Sequence, residues 1–143
     1  MLPSRWISYS IVQLVLLLLV SAMGTTPTSA EGPYAAVVPF KGIVNPAMAT
    51  YVDRAIAQAE ESGASVIIIE MDTPGGLDTS MRDIIQRIIA SRVPVVVYVA
   101  PNGSRAASAG VYITYAAHIA ALAPSTNIGS AHPVALGDNG SEA

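Results

Sequence analysis

The sequence predicts an α/β fold with a mainly parallel sheet and crossover helices. Two apolar, β-branched runs, SVIIIEM at 65–71 and VPVVVYV at 93–99, have the length and continuity of buried strands. The segments around them carry apolar residues at three- and four-residue steps and are long enough for right-handed crossovers. The order read along the chain is β-α-β-α-β-α-β.

Each element has its own local reason. Tyr34 to Phe40 is apolar and β-prone, and Lys41-Gly42-Ile43-Val44 extends it past a turn-capable glycine. Asn45-Pro46 signals a helix start, since Asn45 caps free N–H groups and Pro46 is tolerated in the first turn. Ala49, Val52, Ile56 and Ala59 then form one apolar stripe, and Gly63 stands where a left-handed cap ends the helix. The run at 65–71 follows as a strand expected to be covered on both faces.

Asp72-Thr73-Pro74-Gly75-Gly76 breaks that strand. Helical spacing returns from Leu77 to Ser91 through Met81, Ile84, Ile85, Ile88 and Ile89, with Asp78 as the expected cap. The strand at 93–99 carries Pro94 at its start, where a missing donor does least harm. After the loop 101–104, Ala106 to Ala117 reads as a small-residue helix, Ile119 to Ala123 as a short buried strand, and the chain from Pro124 onward as irregular.

The N-terminus has a different character. A single charge, Arg5, precedes an apolar run from about Ile11 to Val20, broken by Gln13 alone and followed by small and polar residues up to Thr28-Ser29-Ala30. This is the pattern of an export signal with cleavage after Ala30. The apolar core falls short of the ~20 residues needed to span hydrocarbon. The expected organisation is a signal peptide at 1–30 and one domain at 31–143, whose last residues, LGDNGSEA, carry no closing element and read as a C-terminal truncation.

Of the 143 residues, 52% are hydrophobic and 12% charged, the net charge is -3, and there is no cysteine. The mildly acidic balance and the lack of basic runs argue against nucleic acid as a partner. Disulfides play no part, and no cluster of His, Asp or Glu suggests a metal or a cofactor.

Two loops carry chemistry, each at the carboxyl end of a strand, where open α/β sheets collect their sites. In the first, Gly75 and Gly76 let backbone N–H groups approach a ligand, as half of an oxyanion hole requires; a plain strand-to-helix turn is the alternative. In the second, Ser108 stands among Ala and Gly at the start of a predicted helix, with room for a substrate backbone and with unpaired N–H groups nearby. Small-residue packing against the sheet is the alternative there. Ser104 and Ser125 are rival serines with simple readings as cap or turn residues, and His118 reads as structural.

The ordered set Asp-Thr-Pro-Gly-Gly at 72–76, Ala-Ala-Ser-Ala-Gly at 106–110 and Ala-Pro-Ser-Thr-Asn-Ile-Gly-Ser-Ala-His-Pro-Val at 123–134 resembles the ClpP-class membrane-bound serine proteases, the NfeD or stomatin-operon-partner family, over about residues 34–134. The resemblance implies a ClpP/crotonase-like fold, Ser108 as nucleophile, and oxyanion amides from Gly75 or Gly76 and from Ala109. It also implies apolar peptide substrates near membranes, a stomatin-like membrane protein as client, self-association, and a place on the periplasmic or extracytoplasmic face of the membrane.

In that family the base is a lysine farther along. The one lysine here, Lys41, lies in the wrong segment, so the base is expected beyond Ala143. His132, near where soluble ClpP-type peptidases place a histidine, is the alternative base. Two other classes stay open: a non-catalytic interaction module that keeps the fold without the base, and a crotonase-type acyl-CoA enzyme, which export disfavours.

The signal reading predicts Glu31 as the N-terminus of the exported protein. N-terminal sequencing of protein recovered from the cell envelope checks this, and an intact Met1 contradicts it.

Overall fold

The computed structural model describes residues 32–131; the expected signal peptide at 1–30 and the candidate base His132 lie outside them. The elements run β1 (Ala35–Lys41), α1 (Pro46–Glu61), β2 (Val66–Asp72), α2 (Asp78–Ile89), β3 (Val95–Val99), β4 (Arg105–Ala107), α3 (Ala109–Ala116), β5 (Ile119–Leu122) and β6 (Asn127–Gly129). The α/β fold with its parallel sheet is therefore as the sequence predicts. Strands β1-β2-β3-β5 lie side by side in that order, all parallel, and β4 and β6 form a separate parallel pair.

The strand order moves steadily in one direction, so right-handed crossovers deliver every helix to the same face of the sheet. Burial follows that geometry. Phe40 on β1, Ile67, Ile69 and Met71 on β2, and Val95, Val97 and Val99 on β3 are fully buried in one cluster with Val52 and Ile56 of α1, Ile84 and Ile88 of α2 and Ile113 of α3. Each such side chain contributes about 1.5–3 kcal/mol relative to exposure. On the other face Val37 is 57% exposed and Tyr98 37% exposed, with Ile68 and Val96 half-buried. The expectation that the strand at 65–71 is covered on both faces is thus corrected among the described residues: an apolar run marks a strand that is fully packed on one side.

Local signals act largely as read. Asn45 Oδ1 accepts the Met48 N–H at 2.9 Å, Pro46 occupies the first turn, and Gly63 takes φ 74° just past the end of α1. Two readings change in α2. Leu77, not Asp78, occupies the cap position and makes no side-chain cap bond; the Asp78 carboxylate instead accepts from Arg82 Nε, one turn on, at 2.7 Å. Ile89, placed on the apolar stripe by spacing, is 67% exposed because α2 ends there and leaves the core.

The C-terminal ends of α1 and α2 are clamped by charge. Arg87 donates to Asp53 Oδ1 and to Glu60 Oε2, each at 2.9 Å, and the Arg92 backbone N–H donates to Glu60 Oε1 at 2.9 Å. The Glu60 side chain is only 9% exposed. The Arg87 hydrogen bond, then the Arg92 N–H, hold its carboxyl down at about 2 against the opposing effect of burial. An unfolded Glu titrates at about 4.3, so this stabilisation is present in full above that value and is lost as pH falls from there toward about 2.

Glu60→Gln is predicted to lower stability near neutral pH by about 1.5–3 kcal/mol, the range for hydrogen bonds to charged groups. Urea denaturation of both proteins over a pH series should show the gap closing below about pH 4. A gap independent of pH would contradict the clamp.

Candidate active site

The carboxyl ends of β1, β2 and β3 are stitched together. The Gly42 N–H donates to the Asp72 carbonyl at 2.9 Å, Ala100 N–H to Met71 at 3.2 Å, and Thr73 N–H to Arg105 at 2.7 Å. This brings the Asp72–Gly76 turn beside the segment that carries Ser108, as two consecutive crossovers of a parallel sheet should.

The predicted helix at Ala106–Ala117 is corrected here. Arg105–Ala107 is the strand β4, Ser108 is a corner with φ 52° and ψ −116°, and α3 starts at Ala109. Tertiary pairing overrides the small-residue helical pattern. The Ala107 N–H donates to the Thr73 carbonyl at 3.0 Å on one side, and β4 pairs with β6 on the other. The stretch after Pro124, read as irregular, supplies that partner strand. Positive φ costs a non-glycine residue of order 1–3 kcal/mol and persists only where surroundings enforce it; at a strand-to-helix corner it lifts the side chain clear of the backbone. The Ser108 N–H donates to the Gly129 carbonyl at 3.0 Å, so β6 helps hold the corner.

The first loop meets that corner directly. A Cβ at Gly75 would lie 2.6 Å from Ser108 Cβ and 3.1 Å from its Oγ, and Gly75 itself has φ 103°. Only glycine fits. Gly76 has φ 156°, and a Cβ there would run into the Val44 carbonyl oxygen. Their amides differ in availability. The Gly75 N–H is committed to Thr73 Oγ1 at 3.0 Å. The hydrogen bonds among the described residues leave the Gly76 and Ala109 N–H groups unengaged, and Gly76 is exposed.

Of the other residues singled out in the sequence, Ser104 is buried, its carbonyl accepting from the Asn127 N–H, and Ser125 is an exposed turn residue with φ 61°. His118 lies past the end of α3, where its Nδ1 accepts the Val95 N–H at 3.1 Å, in line with a structural reading. Lys41 is exposed at the end of β1 opposite Asp72. Asp72 Oδ1 accepts the Arg105 N–H at 3.2 Å. No described side chain hydrogen-bonds to Ser108 Oγ.

Two residues passed over in the sequence belong to the surroundings of the corner. Thr73 is fully buried, with Oγ1 donating to the Gly42 carbonyl at 2.7 Å while accepting from Gly75. Tyr112 Oη donates to the Ala131 carbonyl at 2.6 Å and ties down the segment after β6. A buried threonine beside a Pro-Gly-Gly turn is a signal that could have been read; the reach of Tyr112 across 19 residues is not one.

Comparison with known proteins bears on the family and the fold. The NfeD1b N-terminal domain profile matches residues 34–143. The membrane-bound protease PH1510 of Pyrococcus horikoshii is 51% identical over 82 residues, which is 57% of this chain and 19% of that protein. A solved structure of the 1510-N membrane-bound stomatin-specific protease, a lysine-to-alanine mutant in complex with a substrate peptide, superposes with TM-score 0.73 at 43% identity, covering 78% of this chain and 51% of that one. A ClpP1 mutant from Listeria monocytogenes superposes with TM-score 0.60 at 25% identity, covering 65% of this chain and 55% of that one. The fold is ClpP/crotonase-like, and the chain spans about a fifth of the curated protease's length and half of the solved 1510-N chain.

Gly110 gives a prediction of sign. Glycine to alanine inside a helix ordinarily stabilises by about 1 kcal/mol. Here the new Cβ would lie 2.6 Å from Thr73 Cγ2, so Gly110→Ala is predicted to destabilise by about 1–3 kcal/mol, with a smaller penalty in a Thr73→Ser background. Urea denaturation of the single and double variants checks it, and a stabilised Gly110→Ala protein contradicts the packing.

Proposed function

Since the chain belongs to the NfeD1b N-terminal-domain family, we propose that it carries the nucleophile and oxyanion half of a ClpP-class serine endopeptidase. The observation that carries this reading is the strained Ser108 corner pressed against Gly75, with the amides of Gly76 and Ala109 unengaged. A backbone held at positive φ by two flanking hydrogen-bonded strands is a reason to assign work to the side chain it presents.

In this reaction Ser108 Oγ attacks the carbonyl carbon of a peptide bond while its proton passes to a base. The carbonyl oxygen becomes an oxyanion held by the Gly76 and Ala109 N–H groups, the second of them the first amide of α3 and so favoured by the helix dipole. Collapse breaks the C–N bond, and the base returns the proton to the leaving amine. Water then attacks the acyl ester by the same route in reverse and frees Ser108. Gly75, with its N–H committed to Thr73, shapes the turn and leaves the oxyanion to Gly76.

The base in this reading is a lysine beyond Ala143. The peptide complex of 1510-N in its lysine-to-alanine form supports it, as does the absence of any lysine after Lys41 in this sequence. The substrates are apolar membrane-associated peptides, with a stomatin-like protein as client, and the enzyme works as a homo-oligomer on the extracytoplasmic face of the membrane after export. Among the described residues no helix is long and apolar enough to cross a membrane. That Ser108 Oγ lacks a described partner is the observation that favours the other reading, an interaction module without catalysis.

In the full-length gene product, a fluorophosphonate probe is predicted to label Ser108, and Ser108→Ala to abolish labelling. Replacing the downstream lysine should remove nearly all peptidase activity, whereas His132→Ala should leave most of it. Labelling that persists at Ser104 or Ser125 contradicts the nucleophile, and the opposite ranking of lysine and histidine contradicts the base.

A further inference from the structure

We propose that Thr73 is a positioning residue that sets both oxyanion-holding amides at once, an inference that rests on the peptidase reading above. Thr73 is fully buried, and every polar group it carries is used. Its Oγ1 donates to the Gly42 carbonyl at 2.7 Å and accepts the Gly75 N–H at 3.0 Å, so one hydroxyl joins the β1 extension to the Pro-Gly-Gly turn. Its backbone N–H donates to the Arg105 carbonyl at 2.7 Å and its carbonyl accepts the Ala107 N–H at 3.0 Å, which fixes the strand leading into Ser108. Its Cγ2 lies against Gly110, in the first turn of α3, so closely that a methyl there would stand 2.6 Å away.

One side chain therefore touches both loops. The hydroxyl orients Gly75, whose plane sets where the next amide, Gly76, points. The methyl sets how closely the start of α3, and with it the Ala109 amide, approaches the turn. Thr73 touches no substrate in this arrangement; it acts through the two donors. An oxyanion donor is useful only when it stands at the place where charge develops, and removing one outright costs about 10²–10³ in kcat. Loosening one without removing it should cost less.

The test uses the full-length gene product with Thr73→Val, Thr73→Ser and Thr73→Ala. Valine keeps the Cγ2 methyl and replaces the hydroxyl with a second methyl; serine and alanine both lack Cγ2 and differ from each other only in the hydroxyl. The measurements are kcat and KM on a fluorogenic apolar peptide and the rate of fluorophosphonate labelling at Ser108. Thr73→Val should lower kcat and labelling by roughly 10–100-fold with KM within about 3-fold of wild type. Thr73→Ser should keep at least about 10 times the kcat of Thr73→Ala.

Wild-type labelling at Ser108 together with unchanged kcat in Thr73→Val would overturn the proposal alone. So would equal kcat in Thr73→Ser and Thr73→Ala, a comparison that also decides the matter if the valine variant does not fold. A wild-type protein that is not labelled at Ser108 would overturn the peptidase reading and this proposal with it.

Discussion

Gly75 and the Ser108 side chain compete for one small volume, and the local architecture follows from how that competition is resolved. Because a Cβ at 75 would sit 2.6 Å from Ser108 Cβ, the turn has to be glycine. Because the serine has to enter that space from the end of a strand and leave as a helix, its backbone takes φ 52°. That conformation is unfavourable by itself, so the strand before it is pinned on both sides, by Thr73 and by β6, and the Ser108 amide is tied to Gly129. Remove either flanking pairing and the positive φ loses its support.

The sheet supplies the alignment on which this depends. Parallel register sets Lys41 opposite Asp72 and Met71 opposite Val99, so the three loops leave the sheet at one level. The core beneath them is apolar and continuous from Phe40 through Met71 to Val99, and it anchors the ends of those strands rather than their middles alone. The polar stitching of Gly42, Thr73 and Ala100 then begins where the apolar packing stops. The Glu60–Arg87 clamp lies toward the other end of the sheet, beside the entry to β3, which separates the residues that hold the fold from those that shape the site.

Much of this was legible in the sequence, and the largest part that was not depends on partners distant along the chain. Periodicity marked β1 to β3 and α1 and α2 because their patterns come from a single core face that repeats along the element. Asn45 and Gly63 were legible because capping is local. The corner at Ser108 was not: Ala-Ala-Ser-Ala-Gly favours a helix on propensity, and the strand β4 exists through partners at Thr73 and at 127–129, distant in sequence. Asp78 is a separate, local case: the helix begins one residue earlier than read, so Asp78 lies inside its first turn and its carboxylate pairs with Arg82. Of the candidate site, Ser108, Gly75, Gly76 and Ala109 are brought to one place. The division of labour between the two glycines rests on the Thr73 hydroxyl, whose bond to the amide two residues on is a local threonine-turn pattern that could have been read beside Pro-Gly-Gly.

The two halves of such a site make different physical demands. Oxyanion donors are backbone amides, and they need only rigidity and the absence of a competing acceptor, which strands and a glycine turn provide within this stretch of chain. A lysine base needs more. Its ammonium must lose its proton near neutral pH, which requires desolvation, and that in turn requires apolar cover over the space beside Ser108. Ser108 is half-buried among the described residues. An imidazole makes no such demand, because it is already neutral in part at pH 7. On the Ser-Lys reading proposed above, activity therefore depends on two things, a base and apolar cover over it, whereas the Ser-His alternative depends on the base alone.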